Sequence, residues 1–71
     1  MSEDISTLVG KSFRDVGQAM GLTDVEIAEE CSFADCSATP ETRVADDVCS
    51  RTVVRRLRHR TEHKRHGTSA A

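Results

Sequence analysis

Residues 12 to 31, Ser12-Phe13-Arg14-Asp15-Val16-Gly17-Gln18-Ala19-Met20-Gly21-Leu22-Thr23-Asp24-Val25-Glu26-Ile27-Ala28-Glu29-Glu30-Cys31, carry more mutually consistent local signals than any other part of this 71-residue chain. Phe13, Val16, Gly17 and Met20 recur at spacings of three and four, which lays one apolar stripe along a helix. Ser12 stands at its cap, with Asp15 three residues on in the usual capping-box place. Gly21 follows the last stripe residue, where a glycine takes the left-handed conformation that turns the chain out of a helix. Thr23 and Glu26 make a second capping box, and Leu22 before that cap can pack on Ile27 as a hydrophobic staple. The stretch reads as helix, tight turn, helix.

What surrounds this pair must complete a small core, because the chain is 37% hydrophobic and its only aromatics are Phe13 and Phe33. Ile5, Leu8 and Val9 fall on one face of a short helix over residues 4 to 10, which is below the roughly 12 to 15 residues an isolated helix needs and must dock on the pair. Residues 32 to 39 are small and polar around Phe33 and read as a loop, with Phe33 returning to the core. Thr39-Pro40-Glu41 has the chemistry of a helix start: a capping hydroxyl, a proline where no amide hydrogen is needed, and an acid in the first turn. From there Ala45, Val48, Cys49, Thr52, Val53 and Leu57 follow one stripe, with Val44 and Val54 at its margins. The expected architecture is an all-α bundle of three or four helices, near 4–10, 13–20, 24–31 and 40–58. The domain spans 1–58, and a basic tail over 59–71 frays into disorder after about residue 62.

The net charge of −2 hides a division. Residues 1 to 47 hold eleven Asp and Glu against Lys11, Arg14 and Arg43, a balance of −8, whereas residues 48 to 71 hold seven Lys and Arg against Glu62, a balance of +6. Such halves attract each other within one molecule or seek opposite charge on a partner. No apolar run is long enough to span a membrane, and Met1-Ser2-Glu3-Asp4 is acidic where a secretory signal is basic, so the expected location is cytoplasmic or nuclear. Three cysteines in such a setting argue against a disulfide framework.

Four chemistries are weighed against these residues. The turn glycine Gly21, the small Gly17 four before it and Ile27 six after it match the spacing of a DNA-reading helix-turn-helix, yet the second helix carries Asp24, Glu26, Glu29 and Glu30 with no Lys or Arg. That charge opposes entry into a groove lined with phosphates. The segment Ser50-Arg51-Thr52-Val53-Val54-Arg55-Arg56-Leu57-Arg58 is the better nucleic-acid candidate, with Arg51, Arg55 and Arg58 on one face; the plainer reading is a solvated basic helix face. Cys31 and Cys36 form a C-x4-C pair, Cys49 follows, and His59 with His63 form an H-x3-H pair. Cys31 falls on the helix stripe and the gap to His59 is long, so the cysteines read as small apolar side chains and no metal or other cofactor is expected. A Gly-rich phosphate loop and a nucleophile beside a base are both missing from the sequence, which points away from an enzyme.

Residues 5 to 31 resemble the first three helices of a death domain. In that family a short first helix leads into Trp-x-x-Leu-Ala-x-x-Leu-Gly-Leu-x-x-x-x-Ile and an acidic third helix. Here the run is Phe13-x-x-Val16-Gly17-x-x-Met20-Gly21-Leu22-x-x-x-x-Ile27, followed by Glu29-Glu30. The region of a fourth helix lacks the aromatic usual there, and the chain ends before a fifth and sixth, so the likeness is to a truncated death domain. The resemblance implies a non-enzymatic adaptor whose partner is another protein, a death-domain protein in the simplest case, met through an acidic face. The residues matching that face are Asp24, Glu26, Glu29 and Glu30.

Overall fold

The computed structural model describes residues 5–34 and 36–70, with side chains of the last helix described as far as Lys64. Three α-helices stand among the described residues: α1 (Phe13–Ala19), α2 (Asp24–Phe33) and α3 (Val48–Ala70). All three pack on one another, and among the described residues no strand forms beyond an isolated antiparallel bridge between Ser12 and Arg43.

The α1–α2 pair is built as its local sequence dictates. Ser12 Oγ accepts the Asp15 amide hydrogen at 3.1 Å and opens α1. At the other end Gly21 adopts φ +93°, its N–H donates to the Gln18 carbonyl and the Leu22 N–H donates to the Gly17 carbonyl, both at 3.0 Å. This two-bond closure uses carbonyls the helix would otherwise leave unpaired. Thr23 and Glu26 then exchange bonds, Glu26 N–H to Thr23 Oγ1 at 3.2 Å and Thr23 N–H to Glu26 Oε1 at 2.9 Å. The helices approach so closely at Gly17 that a Cβ built there would overlap Cγ1 and Cδ1 of Ile27. Only a residue without a side chain fits.

Outside this pair the local signals give way to longer-range bonds. Residues 6–10, expected as helix, form a hydrogen-bonded turn in which Leu8 and Val9 N–H reach the Ile5 carbonyl; Asp4 lies outside the described residues. The segment expected to begin a helix at Thr39-Pro40-Glu41 instead folds into a turn, with Thr42 N–H bonded to the Thr39 carbonyl. Its carbonyls serve the start of α1: Phe13 N–H donates to Thr42 O and Arg14 N–H to Pro40 O, while Gly10 and Val44 pair through Gly10 N–H to Val44 O and Val44 N–H to Lys11 O. A helix over 40–47 would withdraw those acceptors and leave the first amides of α1 without partners.

Helix α3 therefore starts at Val48, where Asp47 Oδ1 accepts the Ser50 N–H at 2.7 Å. Its buried stripe is Ser50, Val53, Val54 and Leu57, so Val54 belongs to the centre rather than the margin and Val48 is exposed. These residues close the core with Ile5, Phe13, Val16, Leu22, Ile27, Cys31 and Val44. Phe33, expected in the core, is exposed and lies under the Arg56 guanidinium at 5.5 Å from its ring centre. Residues 59–64 continue α3 beyond the domain end expected at 58, and the side chains after Lys64 lie outside the described residues.

Candidate functional site

The acids of α2 and the bases of α3 meet along the seam between the two helices. Glu26 and Glu30 are four apart on α2, and Arg56, Arg60 and Lys64 are four apart on α3, so each set lines one helix face. Arg60 Nη1 donates to Glu29 Oε1 at 3.0 Å and to Glu30 Oε2 at 2.9 Å, and its Nη2 lies 3.8 Å from Glu26 Oε2. Arg56 Nε donates to Glu30 Oε1 at 3.1 Å. Lys64 Nζ donates to Glu26 Oε1 at 3.0 Å and to the Gly21 carbonyl at 3.3 Å, which ties the far end of α3 to the α1–α2 turn. The pairs run in opposite order along the two helices, as antiparallel neighbours require.

This clasp divides the four acids expected on one outward face. Glu30 is buried, with its side chain only 9% exposed, and both its oxygens are taken by arginines. Glu26 is also turned inward. Its carboxyl is held below the usual value of 4.5, first by the hydrogen bond from the Thr23 backbone and next by the one from Lys64. Asp24 and Glu29 stay on the outside, 60% and 48% exposed, with Asp24 near Arg14 and Gln18. Val25 lies beside them at 66% exposed, and Ala28 and Ser32 continue the same face. No cation stands on α2, and its outer surface combines two carboxylates with small and apolar side chains.

The basic candidates also part company. Arg51 is exposed and bonded to Asp46 Oδ1 at 2.8 Å, Arg55 is exposed, and Arg58 is half-buried. Sequence reasoning singled out these three and passed over Arg56, Arg60 and Lys64, which tie α3 to α2. The fourfold spacing shared by the two charge sets, read with the acidic and basic division of the chain, was the signal that pointed to them. An open cleft of about 400 Å³ beside the clasp is lined by Glu30, Arg55, Arg56, His59 and Arg60.

Among the described residues no group of three or more His, Cys, Asp and Glu side chains is placed to hold a metal ion. Cys31 is in the core, and His59 and His63 stand on α3 with ring centres 6.1 Å apart. No helix among the described residues is long and apolar enough to cross a membrane. Comparison of the chain with protein families, with curated proteins and with solved structures returns no match.

Proposed function

We propose that this chain is a non-enzymatic protein-interaction module that meets its partner through the outer face of α2. The observation that supports this is the composition of that face: Asp24, Val25, Ala28, Glu29 and Ser32 present half-exposed carboxylates and apolar surface with no Lys or Arg on the helix itself, Glu29 sharing Arg60 and Asp24 facing Arg14 at its edges, on a helix capped at its start and clasped to α3. A surface of this kind suits a partner bearing basic groups around an apolar patch, and opposes nucleic acid by charge. The resemblance of residues 5 to 31 to a death domain points the same way, to pairing with a death-domain protein. Glu26 and Glu30 then act within the molecule, stiffening α2, and Asp24 and Glu29 make the contact.

A second reading rests on the cleft where Arg55, Arg56, His59 and Arg60 surround one carboxylate, a cationic surface that with Arg51 and Arg58 fits a small nucleic-acid-binding regulator. Arg51, Arg56, Arg60 and Lys64 already have carboxylate partners, which lowers the charge left for phosphates. The two readings separate by photo-crosslinking in cells that produce the chain. A crosslinker at position 25 captures a protein, Asp24→Lys with Glu29→Lys abolishes the capture, and Arg51, Arg55 and Arg58 changed to Ala leave it intact. Capture of nucleic acid from position 55 with none of protein from position 25 would overturn the first reading in favour of the second.

A further inference from the structure

The three cysteines enter from different elements: Cys31 from α2, Cys36 from the loop after it and Cys49 from the first turn of α3. Cys31 is buried in the core, whereas Cys36 and Cys49 are half-buried. The Cys49 thiol points at the Cys36 carbonyl oxygen, 3.8 Å from its sulfur, and the Cys36 thiol donates to the Ala34 carbonyl at 3.3 Å. The proximity of the Cys36 side chain, ahead of burial and the neighbouring Asp47 and Cys31, pushes the Cys49 thiol up to about 11. Two thiols thirteen residues apart are thus held together by tertiary structure.

We propose that Cys36 and Cys49 are a reversible dithiol–disulfide pair whose oxidant is a low-molecular-weight disulfide of the glutathione class. The Cys36 thiolate, its proton lost to solvent, attacks one sulfur of the small disulfide, and the bond between the small sulfurs breaks to release one thiolate. Cys49 then gives up its proton and attacks the Cys36 sulfur of the mixed disulfide. The Cys36–Cys49 bond forms and the second small thiolate leaves. Two electrons pass from the protein to the small disulfide, and the two released protons convert its halves to thiols. Cys36 opens the exchange because the Cys49 thiol is turned onto the Cys36 carbonyl and is held protonated there. Once Cys36 carries the adduct, the neighbouring thiol that chiefly raised Cys49 is gone, which frees it to close the bond. The product ties the loop that supplies the Pro40, Thr42 and Val44 carbonyls to the first turn of α3.

The test equilibrates the full chain in buffers of reduced and oxidised glutathione, quenches with acid, alkylates with N-ethylmaleimide and reads intact mass. The expected result is a fall from three alkylated cysteines to one as the buffer becomes oxidising, with the thermal midpoint rising. Fragment spectra of the linked tryptic peptides, residues 15–43 joined to 44–51, assign the bond to Cys36 and Cys49 in the unmodified chain, and Cys31→Ala retains it. Three alkylated cysteines at every ratio, mixed disulfides that persist without an internal bond, or linkage through Cys31 would each overturn the proposal.

Discussion

Gly17→Ala is the sharpest probe of how α1 and α2 meet, because two opposed effects of known size act at one atom. In a helix interior alanine is favoured over glycine by about 1 kcal/mol, so the substitution would stabilise an exposed position. Here the new Cβ falls on Cγ1 and Cδ1 of Ile27, a fully buried side chain. Overpacking of this kind costs about 1 to 3 kcal/mol, and with two atoms overlapped the upper part of the range applies. The expected net loss is about 1 to 2 kcal/mol, or roughly 4 to 8 °C in midpoint for each kcal/mol in a domain of this size. Ile27→Ala removes both overlapped atoms at a cost of about 2 to 5 kcal/mol on its own. In that background Gly17→Ala should turn neutral or favourable, giving a coupling of about 2 kcal/mol. The assay is urea unfolding by circular dichroism at one fixed osmolyte concentration, which keeps the weaker variants folded. Stabilisation of the unmodified chain by Gly17→Ala, with effects that add across the two sites, would refute the close approach.

The Cβ of a residue at position 21 meets nothing within 4 Å, so Gly21→Val should cost stability through the backbone alone, by at least about 1 to 2 kcal/mol at φ +93°, and Gly21→Asn should cost less; thermal unfolding of the two variants checks the ranking. Glu30→Ala strips two charge-assisted hydrogen bonds from a buried carboxylate, and because Arg56 and Arg60 keep 40% and 32% of their side chains in water, the expected loss is about 2 kcal/mol rather than the full cost of a broken buried pair; denaturant midpoints at low and high salt measure it. The Glu26 carboxyl has a folded-state pKa below its usual 4.5, so its contribution is fully present above that pH and fades as the pH falls through the lower folded value; the slope of stability against pH in that acidic window should flatten in Glu26→Gln.

The α1–α2 pair was legible because its caps and its turn are made by local bonds. Ser12 reaches Asp15, Thr23 reaches Glu26 and Gly21 closes on Gln18, all within three residues, and the stripe residues Phe13, Val16 and Ile27 are buried as their spacing implies. The same residues carry the likeness both to a DNA-reading motif and to a death domain, since a tight helical pair needs a small residue, a turn glycine and a buried aliphatic whatever it binds. The 6–10 turn and the 39–44 segment were illegible for the opposite reason. Their conformations are set by bonds spanning some thirty residues, such as Gly10 N–H to Val44 O and Arg43 Nη1 to Gly10 O at 2.6 Å, which no local window contains. Thr39-Pro40-Glu41 has sound capping chemistry and still loses, because the start of α1 uses the carbonyls of that segment.

The candidate face was half legible. The concentration of acid on α2 is plain in the sequence, but which acids point outward depends on where α3 crosses, and that crossing is set by Val53, Val54 and Leu57 reaching the core. Once those residues are buried, Arg56, Arg60 and Lys64 come to the seam and draw Glu26 and Glu30 inward, while Glu29 shares Arg60 from a half-exposed position and Asp24 stays outside.

The central claim is that α3 spends its charge on α2, which leaves the outer face of α2 to a protein partner and little cationic surface for nucleic acid. Titrating the full chain against a labelled duplex of random sequence, by fluorescence anisotropy between about 50 and 200 mM salt, tests it most directly. The account predicts dissociation constants no tighter than about 1 µM at physiological salt, without sequence preference. Glu26→Gln with Glu30→Gln should take the carboxylate from Arg56 and loosen Arg60, which keeps Glu29, and so steepen the log–log salt dependence by about 0.9 for each cation that turns to phosphate. Sub-micromolar binding of one particular duplex by the unmodified chain at physiological salt, unchanged by those Gln substitutions and lost when Arg51, Arg55 and Arg58 become Ala, would contradict it.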